Sequence, residues 1–168
     1  MGRYNVHAGH NPAGKVACGA VGLLNESTEA RRICKEIVRL LKLNGHTVYN
    51  CTVSNGKNQS DVLKKIVSKC NTHNVDFDFS IHLNSGRGDK KGDGSVGGFE
   101  VLVTDTGKGK GKVAERMRSR MKELGFKDRG TKIRDNLYVL NNTKAPALLL
   151  EICFVDDKDD YDLYKKKG

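Results

Sequence analysis

Two hydrophobic periods alternate along this chain, and the switches between them mark its elements. Residues 3–8 alternate apolar with polar and stop at Gly9, which predicts a first strand running into a loop. Residues 11–24, with Pro12, Gly14, Gly19 and Gly22, read as an irregular loop. From Glu26 onward, Ala30, Ile33, Cys34, Ile37, Val38 and Leu41 recur at the spacing of one helix face. Asn25 is placed to cap that helix and Gly45 to follow its end. Residues 46–53 predict a second strand. Ser60 and Asp61 open a second helix with Val62, Leu63, Ile66, Val67 and Cys70 on one side. Residues 76–83 predict a third strand, 84–94 a glycine-rich charged loop and 97–104 a fourth strand. A helix over 113–124 stops at Gly125. Residues 137–140 and 145–154 predict two further strands, and 159–166 a short last helix.

Strands alternating with helices predict an α/β fold. The expectation is a single-domain, twisted, mostly parallel mixed sheet of about six strands with helices on both faces. The length of 168 residues suits one domain. No apolar run is long enough to span a bilayer, so membrane insertion is not expected. The first residues, MGRYNV, lack the apolar stretch of a signal peptide.

Composition narrows the picture further. The cysteines (Cys18, Cys34, Cys51, Cys70 and Cys153) are odd in number, far apart and without a CxxC pair. That pattern disfavours a disulfide framework or a zinc knuckle and predicts buried reduced thiols. A net charge of +10 implies attraction to a polyanion, either nucleic acid or a phosphate-rich bacterial wall. Charge alone does not separate these.

Chemistry concentrates in four short stretches: Ala8-Gly9-His10, Asn25-Glu26-Ser27, Ser80-Ile81-His82-Leu83-Asn84 and Leu150-Glu151-Ile152. Open α/β sheets gather ligands at the carboxyl ends of their strands. His10, His82 and Glu151 lie at or near such ends, and Glu26 opens a helix at the same rim. Two histidines and a glutamate suffice for a catalytic zinc, which keeps one position open. Each residue also has a plain structural reading. His10 suits a loop and His82 a satisfied core histidine, while Glu26 favours the helix dipole. Glu29, one turn on, rivals Glu26. Glu151 resists such a reading, because burying a carboxylate within ALLLEICF is costly without compensation. His46 and His73 read as solvated. His7 alternates with Val6 and Ala8 and could support the site by a hydrogen bond.

In this order, GH, a glutamate at a helix start, SIHLN and LLLEICF resemble the zinc-dependent N-acetylmuramoyl-L-alanine amidases of cell-wall autolysins and phage endolysins. The resemblance covers nearly the whole chain. It implies a Zn2+ cofactor held by His10, Glu26 and His82, with Glu151 as catalytic acid/base. The implied reaction cleaves the amide between N-acetylmuramic acid and L-alanine in peptidoglycan. Gly98-Phe99-Glu100 and Arg129-Gly130-Thr131-Lys132 resemble family segments flanking the substrate groove. Lys132, Arg134 and Asn84 are candidate substrate-binding residues. The chain departs from the family at His7, where an acidic residue is usual, and at Asn11, where a second glycine is usual. The terminal run Lys165-Lys166-Lys167-Gly168 suggests a linker, with residues 1–168 a catalytic domain lacking its C-terminal wall-binding module. Without an export signal, the expected location is the host bacterial cytoplasm until release onto the wall. A phage lysin is favoured over an autolysin on that ground. The sequence leaves the oligomeric state open between a monomer and an oligomer.

Three rivals stand beside this reading. A zinc peptidase of the stem or cross-bridge would use the same ligands. A cysteine amidase needs an activated thiol at a helix start, and none of the cysteines is so placed. A basic nucleic-acid-binding domain is motivated by the charge and by Gly107-Lys108-Gly109-Lys110-Gly111-Lys112. Aromatic residues for base stacking are scarce, at 6%, so no specific nucleic acid is expected.

Overall fold

A computed structural model of the chain describes residues 1–167; of the run read as a linker, Lys165–Lys167 close the last helix and Gly168 lies outside the described residues. The elements are β1 (Arg3–Ala8), α1 (Glu26–Leu43), β2 (Thr47–Asn50), α2 (Gln59–Cys70), β3 (Phe77–Asn84) and β4 (Phe99–Val103). They continue as α3 (Lys110–Glu123), β5 (Asp128–Ile133), α4 (Tyr138–Asn142), β6 (Ala147–Phe154) and α5 (Lys158–Lys167). Six strands form one sheet in the order β2-β1-β3-β6-β4-β5. The β2, β1, β3 and β6 ladders are parallel, as is β4 with β5, while β4 meets β6 antiparallel. The expected α/β architecture is the one observed.

Side-chain alternation divides the strands between two layers. Val6, Ala8, Phe79, Ile81, Leu83, Leu148 and Leu150 point to one face, where α1, α3 and α5 supply Ile33, Ile37, Ala114, Met117 and Tyr164. The other face is covered by α2 through Val62, Ile66 and Val67, and by α4 through Val139 and Leu140. That second face carries the buried polar residues Asn5, His7, Asp78 and Ser80. Polar side chains on neighbouring parallel strands therefore lead toward one edge of the sheet.

Local signals explain the helix ends. Asn25 accepts a hydrogen bond from Thr28 N at 3.1 Å and caps α1. Gly45, at φ 80°, follows the end of α1 in the left-handed conformation that glycine adopts without steric penalty.

Three expectations need correction. Residues 137–140 were expected as a strand, but Tyr138–Asn142 is a short helix. A four-residue apolar run fits either state, and here the helix inserts Val139 and Leu140 under the sheet. Conversely, β5 carries the sequence DRGTKI and gave no strand signal. It is an edge strand with one neighbour, and its side chains are exposed or half-buried, so nothing forces an apolar alternation. The second strand is also shorter than expected, at Thr47–Asn50.

Four of the five cysteines are buried and all are free thiols, as the odd count and wide spacing suggested. No described helix is long and apolar enough to cross a membrane.

Candidate metal centre and acid–base site

The loop that follows β1 begins by staying on the sheet, with Gly9 N donating to Ile81 O at 3.0 Å. At His10 it turns, with φ at 65°, a left-handed conformation uncommon outside glycine. Arg31 from α1 holds this turn, its Nη2 donating to His10 O at 2.9 Å and Val53 O at 2.6 Å. Asn11 is fully buried and fixes the next residue. Its Nδ2 donates to Val16 O and Gly56 O, each at 2.8 Å, and its Oδ1 accepts from Gly56 N at 3.0 Å. At this departure from the family pattern the side chain braces the loop against the segment before α2.

Glu26, the first residue of α1, is buried and sits between the two histidines. Its Oε1 lies 3.0 Å from His82 Nδ1 and 3.2 Å from His10 Nε2. The same oxygen accepts from Leu83 N at 3.3 Å, and Oε2 accepts from Ala20 N at 2.8 Å. Burial pushes the Glu26 carboxyl up, but hydrogen bonds from His10 and His82 outweigh it and hold the group below the usual carboxylate range. Partial burial pushes His82 down; its hydrogen bond to Glu26 and the charge of Glu151 leave it raised.

The outer ring nitrogens have partners as well. His82 Nε2 lies 3.1 Å from Ser80 Oγ, and His10 Nδ1 lies 3.4 Å from Gln59 Oε1. Metal-ligating histidines are oriented in this way through their second nitrogen. Neither Ser80 nor Gln59 was singled out in the sequence; SxH on one strand face was the available signal for Ser80.

The residues fit a divalent ion. Ligating atoms of His10, Glu26 and His82 all lie within 4.8 Å of one another, and two imidazoles with one carboxylate form a protein set that catalytic zinc accepts. The glycines keep the cradle open. A Cβ on Gly9 would stand 2.0 Å from His82 Cε1, and one on Gly19 would stand 2.5 Å from Glu26 Oε2. Glu29 is engaged elsewhere, bonded to Arg32 at 2.9 Å and to the Tyr164 hydroxyl at 2.7 Å.

Glu151 pairs with His82 across the β3–β6 ladder. Its Oε2 is buried without a partner, and burial is the main cause of a carboxyl pushed up to about 7. Glu100 lies opposite Glu151 on β4 and donates no relief; its charge raises Glu151 further.

Other expected residues fall less close. Asn84 Nδ2 donates to Glu100 Oε1 at 3.0 Å. Lys132 is exposed and level with Leu102 and Leu149, two residues behind Glu151 along the ladder. Arg134 lies past the end of β5, farther again from this edge, bonded through its N to Val103 O at 2.8 Å. His7 is fully buried, and neither of its ring nitrogens has a hydrogen-bond partner, so the expected supporting bond is not made. His73, read as solvated, instead stacks on Tyr49 with ring centroids 3.8 Å apart.

A second acidic group, Asp89, Asp93 and Asp159, has its oxygens turned to backbone N–H groups of residues 92–95 and is accounted for as a loop brace.

Comparison with known proteins gives the family. The sequence profile described as N-acetylmuramoyl-L-alanine amidase matches residues 5–168. The chain belongs to the N-acetylmuramoyl-L-alanine amidase family. It is 32% identical to an uncharacterized 38.4 kDa protein of Clostridium perfringens, over 97% of this chain and 46% of that protein. It is 31% identical to an endolysin of Bacillus phage SPP1, over 95% of this chain and 57% of that protein. The chain thus spans about half the length of the curated relatives it matches. Among solved structures, the catalytic domain of the CD27L endolysin targeting Clostridia difficile superposes with a TM-score of 0.86 and 27% identity, covering 100% of this chain and 90% of that one.

Proposed function

We infer that this amidase-family domain is a zinc hydrolase that cleaves the bond between N-acetylmuramic acid and L-alanine in bacterial peptidoglycan, acting on the cell wall. The observation that carries this reading is the convergence of His10, Glu26 and His82 beside Glu151, whose Oε2 is buried without a partner. His10 Nε2, Glu26 and His82 Nδ1 would hold the ion. Bound there, zinc supplies Lewis acidity, acidifying water and polarising a carbonyl.

The chain's own residues do the rest. Glu26 neutralises charge at the centre, while Ser80 and Gln59 fix the imidazole planes. Glu151 takes the proton from the attacking water and delivers it to the amide nitrogen as the stem peptide leaves. A carboxyl raised to about 7 suits both roles, because it exchanges a proton readily near neutral pH. The net charge of +10 favours residence on an anionic wall.

The test is mass analysis of fragments released from purified wall by the zinc-loaded protein. New free amines on alanine with intact glycan chains are the expected result. Cleavage within the stem or cross-bridge would replace the amidase reading with a peptidase.

A further inference from the structure

Arg129 is a basic residue on the Glu151 side of the site whose placement is built by the fold. The β4–β5 ladder shifts register between Phe99 and Val101, so Arg129 and Gly130 together oppose Glu100. Gly130 has φ at 91° and makes the bulge possible. Bulges of this kind re-aim side chains and are common beside active sites. Here the bulge turns Arg129 onto Glu100, with Nε donating to Glu100 Oε2 at 3.0 Å and Nη1 to Gly97 O at 3.3 Å. The guanidinium lies 4.9 Å from the centre of the Phe154 ring. Glu100 is in turn held by Asn84 through its other oxygen. The Arg129 side chain remains 29% exposed, while Glu100 is nearly closed off at 10%. Nη2 makes none of these bonds.

A guanidinium held through Nε and Nη1 and seated over an aromatic ring keeps Nη2 as the donor it can offer a carboxylate, with its charge fixed in place. Its place sets which one. Arg129 stands two strands from Glu151, roughly 10 Å at ordinary strand spacing. A stem peptide leaving the scissile amide covers that span in about two to three residues, at ~3.5 Å each.

We propose that Arg129 is a specificity residue that binds the free carboxylate of the second stem residue, with Glu100 as its positioning residue. The proposal rests on the amidase reading and adds to it a substrate preference. Stems carrying the free acid at that residue are cut in preference to stems carrying the carboxamide.

The test uses two synthetic muramoyl-peptides that differ only in that group, acid or amide. Zinc-loaded wild type should favour the acid in kcat/KM by roughly 10- to 100-fold, the range of one hydrogen bond between charged groups. The preference should reside in KM. Arg129→Gln should bring the ratio close to one, and Arg129→Lys, which keeps the charge without the fork, should recover part of it. Thermal melting checks that the variants fold. Cleavage of both substrates without preference, or a preference that survives in Arg129→Gln, would overturn the assignment. A second readout, equilibrium binding of the free stem peptides in acid and amide forms, needs no turnover. Selective binding that Arg129→Gln abolishes, with cleavage at some other bond, would sustain Arg129 and sink only the amidase reading.

Discussion

Glu151 and His82 face each other across the parallel β3–β6 ladder, so the carboxylate proposed as acid–base group and an imidazole proposed as metal ligand leave adjacent strands at the same level. This pairing needs no loop to bring the groups together. It is fixed by backbone register, and it couples the chemistry to the rigid centre of the sheet.

Replacement of Glu151 by Gln should leave zinc content and folding unchanged while turnover falls roughly 10²- to 10⁴-fold, the usual contribution of a positioned acid or base. Metal analysis and wall-clearing rates on one preparation check this. A variant of near-normal activity would remove Glu151 from the mechanism.

The same residue should mark the pH dependence of stability in the metal-free protein. Its folded-state pKa of about 7 lies above its ordinary 4.5, so the folded state holds the extra proton between these values. Stability from this group is therefore full below about pH 4.5 and is lost as pH rises through 7. Glu151→Gln should flatten that fall, removing about 3 kcal/mol of the stability difference between pH 4 and pH 8 in the metal-free protein. Denaturant melts at the two pH values decide the point.

Zinc should raise the melting temperature of the wild type, because an ion that binds only the folded chain stabilises it by about 2.7 kcal/mol at a hundred times its Kd. Glu26→Ala and His82→Ala should lose most of that increment. If zinc stabilised these variants as it does the wild type, the ion would be sitting elsewhere.

Chelation should abolish activity, and added zinc should restore it. Thiol alkylation of a Cys18→Ser variant in the folded state should not, since Cys18 is the partly exposed cysteine and Cys34, Cys51, Cys70 and Cys153 are buried. Inactivation by alkylation alone would favour a thiol enzyme.

Gly9→Ala carries the sharpest geometric prediction. Its Cβ would intrude on the His82 ring, at 2.0 Å from Cε1. Circular dichroism should remain near that of the wild type while zinc affinity drops at least tenfold. Unchanged zinc binding would show that the loop yields without disturbing the centre.

Much of this was legible in the chain itself. Apolar residues at helical spacing from Ala30 to Leu41, with Asn25 before them and Gly45 after, defined α1, because capping and amphipathicity are local. Alternation in β1 and β3, and the apolar run of β6, gave the central strands for the same reason. The edge strand β5 was hidden because one neighbour and partial exposure impose little pattern. Residues 137–140 misled because four residues cannot distinguish a strand from one helical turn.

The sequence by itself determined the residue types, the helix and strand periods and the four motifs that could supply a metal and a base. Tertiary structure alone decided that one oxygen of Glu26 meets both histidines, that β4 runs against β6 to set Glu100 across from Glu151, and that a bulge in β5 turns Arg129 to this edge. The reason is physical. Periodicity and capping act over a few residues, whereas strand order, register and the bulge arise from pairing between segments far apart in the chain.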